Sequence, residues 1–338
     1  MVRSIQNILS LICFLITTAS AHAGTEFVLE NVSRSQNSCW RAISTTAART
    51  DGLKVTWWNI ANGMIGSEGN GLILAKNIDR LISSPLRPHV IALGEYQKGS
   101  LPEQTIENLK RIYPYSTFIP YNEQTDVGMV VFTNLPLKVG RQTTLKWIPE
   151  HIGEQQRRDY LETWSSGDPE HDEAFYTRSV RELEIIFENR KIAIVPVHLA
   201  QPWRQLRERS QGRVDFMMGM AKELFLSGSN PLITQVNSLD QWLSESKLQD
   251  RIVLGDFNLP RGIFGVPTLG YRRLVDTMAP AIRGEQPSFP APSSPHREPP
   301  TQIDHAFLAG GLSAEAGVVA PLKGSDHLPV YVIIQPGS

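Results

Sequence analysis

The sequence predicts an α/β protein in which a sheet, or a pair of sheets, is covered by helices. Three observations predict it. Short apolar runs recur along the chain, and segments with helically spaced apolar residues lie between them. Gly, Pro or Asn closes most of the runs. Residue types able to do chemistry stand at the ends of those runs, where a sheet delivers side chains to its rim.

Residues 1–23 read as a cleaved export signal. Arg3 is their one charge, Ile8–Ile16 is apolar, and Ala21–His22–Ala23 has the small-x-small pattern of a signal-peptidase site. The apolar stretch is too short for a membrane-spanning helix. Cys13 lacks the small residue before it that a lipoprotein signal carries. The mature chain is expected to begin near Gly24 and to be secreted or periplasmic. Without the leader, 32 Lys plus Arg face 34 Asp plus Glu, so the net charge is −2. That balance supplies no overall basic footprint for nucleic acid. Cys39 is the one cysteine left, which excludes an intramolecular disulfide and a cysteine-based metal site. Residues 24–50 are polar and read as a tail or linker. Residues 51–336 read as the folded domain.

The domain opens with an apolar strand, LKVTWW, and Asn59 stands at its end. Leu72, Ile73, Ala75, Ile78, Leu81 and Ile82 have helical spacing, so 71–83 is expected to be a helix, closed by Pro85 and Pro88. Val90–Leu93 is a second strand, ending in Gly94–Glu95. A helix over 102–112 and a strand over 127–132 follow, stopped by Asn134 and Pro136. Residues 138–177 are the least regular part, with Trp147, Trp164, Phe175 and Tyr176 among many charges. An ordinary surface excursion is expected there; a substrate-shaping insertion is the alternative.

Residues 178–187 and 191–197 read as a hairpin turning at Glu188–Asn189–Arg190, and its second strand ends in His198. Helices are expected over 203–225 and 232–243. Then comes RIVLGDFNLPR, residues 251–261. Ile252–Val253–Leu254 is a buried strand, broken by Gly255, with Asp256 and Asn258 directly after it. On an extended chain these two side chains point the same way; the bland alternative is an Asx turn closing the strand. Beyond Asp256 the chain reads as loop, Pro- and Ser-rich over 286–301. Gln302–Phe307 resumes a strand carrying Asp304, and Asp326–His327 precede a final strand led by Pro329.

Asn59, Glu95, His198, Asp256, Asn258, Asp304, Asp326 and His327 thus all stand at strand ends. Carboxylates with amide oxygens suit a hard cation such as Mg²⁺. Histidines beside carboxylates suit proton transfer and stabilisation of a charged oxygen. Together they fit metal-assisted hydrolysis of a phosphate ester. Each also has a structural reading: Glu95 a loop carboxylate, Asn59 a turn former, His198 a core histidine, Asp304 a loop hydrogen bond, Asp326 a turn cap. Their recurrence at the end of one apolar run after another favours the chemical reading.

On these motifs the chain resembles the endonuclease/exonuclease/phosphatase superfamily. The motifs are WWN ending in Asn59, IALGE ending in Glu95, GMVVFTNLPL from Gly128, VPVHL with His198, GDFN from Gly255, QIDH with Asp304 and GSDHLPV from Gly324. The superfamily includes pancreatic-type deoxyribonuclease, abasic-site endonucleases, inositol polyphosphate phosphatases and neutral sphingomyelinases. The resemblance runs from about Leu53 to Ile334. It implies a four-layer α/β/β/α sandwich with two mixed β-sheets. It implies that Asn59 and Glu95 hold a catalytic Mg²⁺ or Mn²⁺, with Asp326 near it. Asp256, held by Asn258, orients or deprotonates the attacking water. His198, and His327 paired with Asp304, contact the scissile phosphate or assist the leaving oxygen. Arg178 is a phosphate-binding candidate, with Arg181 as its neighbouring rival. Two positions depart from the pattern: Gly94 stands where the family usually has Gln, and Pro88–His89 where it has Pro-Asp. Gly94 is expected to loosen the side wall of the site.

Three functions compete. A metal-dependent nuclease comes first, with nucleic acid as substrate and no stable membrane association. A sphingomyelinase-type phosphodiesterase would want an apolar hairpin for the bilayer, and 138–177 is thick with charge instead. A catalytically dead binding module is disfavoured by the intact constellation. Arg178, Arg181, Arg204 and Arg207 flank His198 in sequence and are expected to form a phosphate track, unless Glu182, Glu184 and Glu208 pair with them.

Overall fold

The computed structural model describes Arg41 and residues 51–61, 70–123, 125–227, 229–263, 266–290 and 301–336. The expected leader and nearly all of the tail lie outside the described residues.

Two mixed sheets stack face to face. The first runs β13 (Leu312–Val319), β14 (Val330–Pro336), β1 (Leu53–Asn59), β2 (Val90–Gln97), β4 (Val127–Thr133), β3 (Tyr115–Pro120). The second runs β11 (Ala279–Pro280), β12 (Asp304–Ala309), β8 (Arg251–Asp256), β7 (Arg190–His198), β6 (Arg178–Phe187), β5 (Leu137–Leu145). A short ribbon pairs β9 (Gly262–Ile263) with β10 (Val266–Pro267). Strands β1 and β2 are parallel, as are β7 and β8.

Alternation along each strand divides its side chains between two cores. Val55, Trp57, Val90 and Ala92 meet Leu183, Ile194, Ile252 and Leu254 between the sheets. Trp58, Ile91 and Leu93 face outward under α1 (Asn70–Ser83) and α2 (Glu103–Ile112). On the other side Val195, Val253 and Phe257 lie under α7 (Pro231–Ser244) and α8 (Leu269–Val275). The central strands are buried on both faces, which is why they read as continuous apolar runs. The expected four layers are therefore present.

Strands β3, β5 and β13, absent from the sequence reading, lie at sheet edges. Edge strands bury little, and β5 carries Lys138 and Arg141. The 138–177 excursion is also more regular than expected. It supplies β5, α3 (Glu154–Trp164) and α4 (Pro169–Tyr176). Trp147, Tyr160, Trp164 and Tyr176 form a small core of their own, with Trp147 stacked on Tyr176 at 4.7 Å. The acidic run has a local cause: the Asp168 side chain caps α4 by accepting from the Glu170 and His171 amides.

The single helix expected over 203–225 is instead α5 (Trp203–Arg209), α6 (Arg213–Lys222) and a π-helical turn, Glu223–Ser227. The break falls at Ser210–Gly212. The Ser210 hydroxyl donates back to Leu206 O, and the Asp215 carboxylate accepts from the Gln211 amide at 3.0 Å. Gly212 disfavours a continuous helix. The hairpin is as expected, with Glu188 and Asn189 at φ 49 and 64 forming its tight turn.

His305 illustrates a structural histidine. It packs against Phe257, Tyr271 and Phe307 and donates from Nε2 to Leu259 O at 2.8 Å. Burial lowers its pKa from 6.5 to about 4. Between those values the unfolded chain binds a proton that the folded chain does not, so stability falls as pH falls through this window. The loss is about 3 kcal/mol in all. Urea denaturation at pH 7.5 and 4.5 should show a smaller acid loss in His305→Gln than in the native protein. Equal losses would rule out His305 as the source.

No helix among the described residues is long and apolar enough to cross a membrane.

Candidate active site

The stretch WWN does more than end a strand. Trp58 Nε1 donates to His327 O at 3.1 Å, and Trp57 Nε1 donates to Asp304 Oδ1 at 2.9 Å. Asn59 is fully buried. Its Nδ2 donates to Glu95 Oε1 and to Asp256 Oδ2, both at 3.0 Å. Its Oδ1 accepts from the Ala61 amide at 3.0 Å. In this arrangement Asn59 clamps two carboxylates through its nitrogen, while its oxygen is engaged by the backbone.

Glu95 is aimed by a β-bulge. Leu93 pairs with Val130 and Tyr96 with Gly128, so two residues of β2 oppose one of β4. Glu95 takes φ 51, a left-handed conformation that costs a non-glycine residue about 1–3 kcal/mol. Its amide donates to the Tyr121 hydroxyl at 2.7 Å. The same hydroxyl contacts His198 Nδ1. The His198 ring thereby presents Nε2 to the carboxylates of the site. That nitrogen lies 3.8 Å from Glu95 Oε1 and 3.6 Å from Asp256 Oδ2. Burial, then Arg178 and His327, hold the His198 pKa well below its ordinary value, so it is neutral.

Asp256 leaves β8 beside His198 of β7 and opposite Asp304 of β12. Gly255 permits this, because a Cβ there would lie 1.8 Å from Val197 O. Asp256 Oδ1 accepts from the Asn258 amide at 2.8 Å, and Asn258 stands at φ 49. The chain is therefore not extended here, and the two side chains do not simply run parallel. The bland Asx turn and the functional reading are both realised: the turn fixes Oδ1 and leaves Oδ2 to the site. Asn258 Nδ2 donates to Leu199 O at 2.8 Å, tying β8 to β7.

Asp304 is fully buried and takes His327 Nδ1 on its second oxygen at 2.8 Å. His327 Nε2 then lies 3.7 Å from Asp256 Oδ2. Burial pulls the His327 pKa down, but Asp304 and Asp256 outweigh it and hold the imidazole up to about 10, hence protonated. Burial and then Asp304 push the Asp256 carboxyl upward. Burial does the same to Glu95, with Asp326 adding to it.

These groups line one cavity of about 250 Å³. Glu95, Arg178, His198, Asp256, Asn258, Asp326 and His327 face it, with Phe175, Gln201, Phe289 and Ile303 as walls. Asn59 and Asp304 stand behind this lining and act through its members. The Arg178 guanidinium lies over the Tyr121 ring at 4.9 Å and donates from Nη1 to Thr177 O at 2.7 Å, and its buried Nε has no hydrogen-bond partner among the described residues. Of the four arginines of the expected track, Arg178 lines this cavity. Arg181 turns to Gln142, Glu182 pairs with Arg141, and Glu184 pairs with Lys191. The Arg204 side chain lies outside the described residues. Gly94 does not loosen the wall, because the Trp57 indole fills the space beside it.

The donor set fits a hard divalent cation. Glu95, Asp256 and Asp326 crowd like charge into one cavity, and burial raises two of the three carboxyls. A cation is what such a set of oxygens accommodates. Among the described residues two groups have metal-ligand spacing: Glu95, His198 and Asp256, and Asp256, Asp304 and His327.

A family described as "Endonuclease/Exonuclease/phosphatase family" matches residues 56–327. The chain belongs to this family. Solved structures share the fold. A family member from Bacteroides thetaiotaomicron superposes with TM-score 0.53 at 12% identity, over 84% of this chain and 97% of its own. A mannosyl-6-phosphatase from the same organism gives 0.52 at 13%, over 84% and 99%. D. rerio TDP2 complexed with a single-strand DNA product gives 0.51 at 12%, over 85% and 100%. At these identities the likeness is one of fold. No curated protein matches the sequence. Sequence reasoning missed Tyr121, Trp57 and Trp58, whose polar atoms sit on side chains that otherwise read as core.

Proposed function

We propose that the chain is a divalent-metal-dependent phosphodiesterase acting on nucleic acid. The observation that carries this is Arg178: a half-buried guanidinium in one cavity with Glu95, Asp256 and His327, whose Nε has no hydrogen-bond partner among the described residues. An anion seat thus adjoins a cluster of carboxylates, which suits a phosphate ester bridged to a cation. Glu95 and Asp326 would hold Mg²⁺ or Mn²⁺, with Asn59 fixing Glu95; the ion's contribution when bound is to offset charge at a phosphoryl oxygen. Arg178 binds a second phosphoryl oxygen. Asp256 Oδ2, with its raised pKa, takes a proton from the attacking water. The His327 imidazolium, held by Asp304, donates toward the phosphate or the leaving oxygen. His198 contacts the phosphate alongside it through Nε2. An intact acid, base and anion seat disfavour the dead-module alternative.

A sphingomyelinase is disfavoured because Trp147, Trp164 and Tyr176 are buried in their own small core. Among its described residues the 138–177 segment therefore presents no apolar hairpin for a bilayer. The nucleic-acid ligand in the D. rerio neighbour lends support to the nuclease reading. One observation favours a second reading, a small phosphoester: the cavity is only about 250 Å³, walled by Phe175 and Phe289. The test is turnover of plasmid DNA, a linear oligonucleotide, a sugar phosphate and sphingomyelin vesicles, each with Mg²⁺ and with EDTA. Nucleic-acid cleavage that EDTA abolishes is the expected result. Choline-phosphate release with DNA left intact would overturn the nuclease reading. Hydrolysis of the sugar phosphate alone would establish the second.

A further inference from the structure

Trp57 lies on the inner face of β1 and is fully buried between the sheets. It faces Ala92 in the register of β2, with Gly94 one inward position further on. A Cβ on Gly94 would lie 2.5 Å from two carbons of the Trp57 ring. Real Cβ atoms do not approach so closely, so the indole can occupy this place only while residue 94 is glycine. In that place its Nε1 donates to Asp304 Oδ1 at 2.9 Å, across the interface between the sheets. The other Asp304 oxygen receives His327 Nδ1 at 2.8 Å. Asp304 is itself fixed from behind, its amide donating to Ser288 Oγ at 2.9 Å.

We propose that Trp57 is a positioning residue for the Asp304–His327 pair, and that Gly94 is glycine so that the indole can reach Asp304. A carboxylate with one buried oxygen unpaired is free to rotate and to draw its histidine with it. With both oxygens engaged it has one orientation, and His327 Nε2 stays directed at the cavity. A plain core tryptophan would account for the burial of Trp57. It would not account for an indole N–H spent on the carboxylate that holds His327, nor for a glycine emptied of side chain beside it. Trp57 affects rate only under the phosphodiesterase reading above, whereas its coupling to Asp304 and Gly94 is independent of any substrate.

The test uses the whole chain with indole-¹⁵N tryptophan. The sequence has seven tryptophans, and the Trp57 signal is the one lost in Trp57→Phe. It should lie downfield, as a donor to a buried carboxylate does, and move upfield in Asp304→Asn. With bis(p-nitrophenyl) phosphate and Mg²⁺, Trp57→Phe keeps the ring's bulk without the donor. Its kcat should fall on the order of 10- to 100-fold, the span of one lost charge-assisted hydrogen bond, with KM within about twofold. Gly94→Ala should lower both Tm and kcat. Adding Trp57→Phe to Gly94→Ala removes the two overlapping ring carbons with less loss of packing, so Tm should rise above that of Gly94→Ala while kcat stays low. Native kcat in Trp57→Phe, recovery of kcat along with Tm in the double variant, or an indole signal unmoved by Asp304→Asn would each overturn the proposal. If the native protein hydrolyses no phosphodiester, the functional reading fails, and the indole shift and the Tm values still decide whether Trp57 couples Gly94 to Asp304.

Discussion

Glu95→Gln is expected to reduce turnover by on the order of 10³-fold while the protein stays folded. Glutamine matches the shape of Glu95, so it can still occupy the bulge, still accept from Asn59 Nδ2 and still offer its amide to Tyr121. The lost property is charge. Glu95 sits in a cavity with Asp256 and Asp326, and its carboxyl is already pushed upward by burial. Removing one anion from such a cluster does not destabilise the metal-free fold, because it relieves like-charge repulsion. It does remove the charge that a divalent cation requires. The native protein should therefore gain Tm with increasing Mg²⁺, by the linkage between binding and folding, and Glu95→Gln should gain little. Thermal melts across a Mg²⁺ series, with turnover measured in parallel, check both halves. Full activity in EDTA, or in Glu95→Gln, would refute the metal assignment.

The second large effect concerns Asp256 and His327. Asp256→Asn and His327→Asn should each lower kcat by on the order of 10²–10⁴-fold, the span of a positioned acid or base. Both replacements keep part of the local hydrogen bonding. Asp256→Asn keeps a side-chain oxygen for the Asn258 amide, so the turn survives, while Asn59 Nδ2 loses the acceptor it had in Asp256 Oδ2 and keeps Glu95. His327→Asn keeps a side-chain N–H near the place of Nδ1, so buried Asp304 is not left without a donor. In the proposed mechanism the reacting atoms are Asp256 Oδ2 and His327 Nε2, 3.7 Å apart and facing one cavity. On that mechanism the two share one proton path on one phosphate. The double variant should then lose far less than the product of the single losses. Single-turnover rates of the three variants and the native protein decide the matter, and simple multiplication of the losses would show that the two groups act separately.

Much of this site is legible along the chain. Val90–Leu93, Lys191–Val197 and Ile252–Leu254 are apolar runs that end abruptly in polar residues, and a central strand buried on both faces has no other way to appear in sequence. Edge strands β3, β5 and β13 were not legible, since a strand paired on one side tolerates exposed charge. Glu95 was found as a residue, but its left-handed φ and the bulge that aims it were not, because a bulge is a mismatch between two strands and neither strand carries it alone. The Asx turn at Asp256 and its part in the site looked like alternatives in sequence; in space one oxygen serves each.

By itself, then, the sequence determined the strand-end residues and an α/β architecture from local apolar pattern, and short motifs carried the resemblance to the family, which in turn implied the sandwich. Only the tertiary structure decided how those residues are held. Trp57 reaches Asp304 across 247 positions and Trp58 reaches His327 across 269, while Tyr121 bridges Glu95 and His198 from opposite sheets. Local pattern specifies which face of a strand a side chain takes. The polar atom at the tip of a buried Trp or Tyr finds its partner through the stacking of the two sheets, which no single stretch of chain encodes.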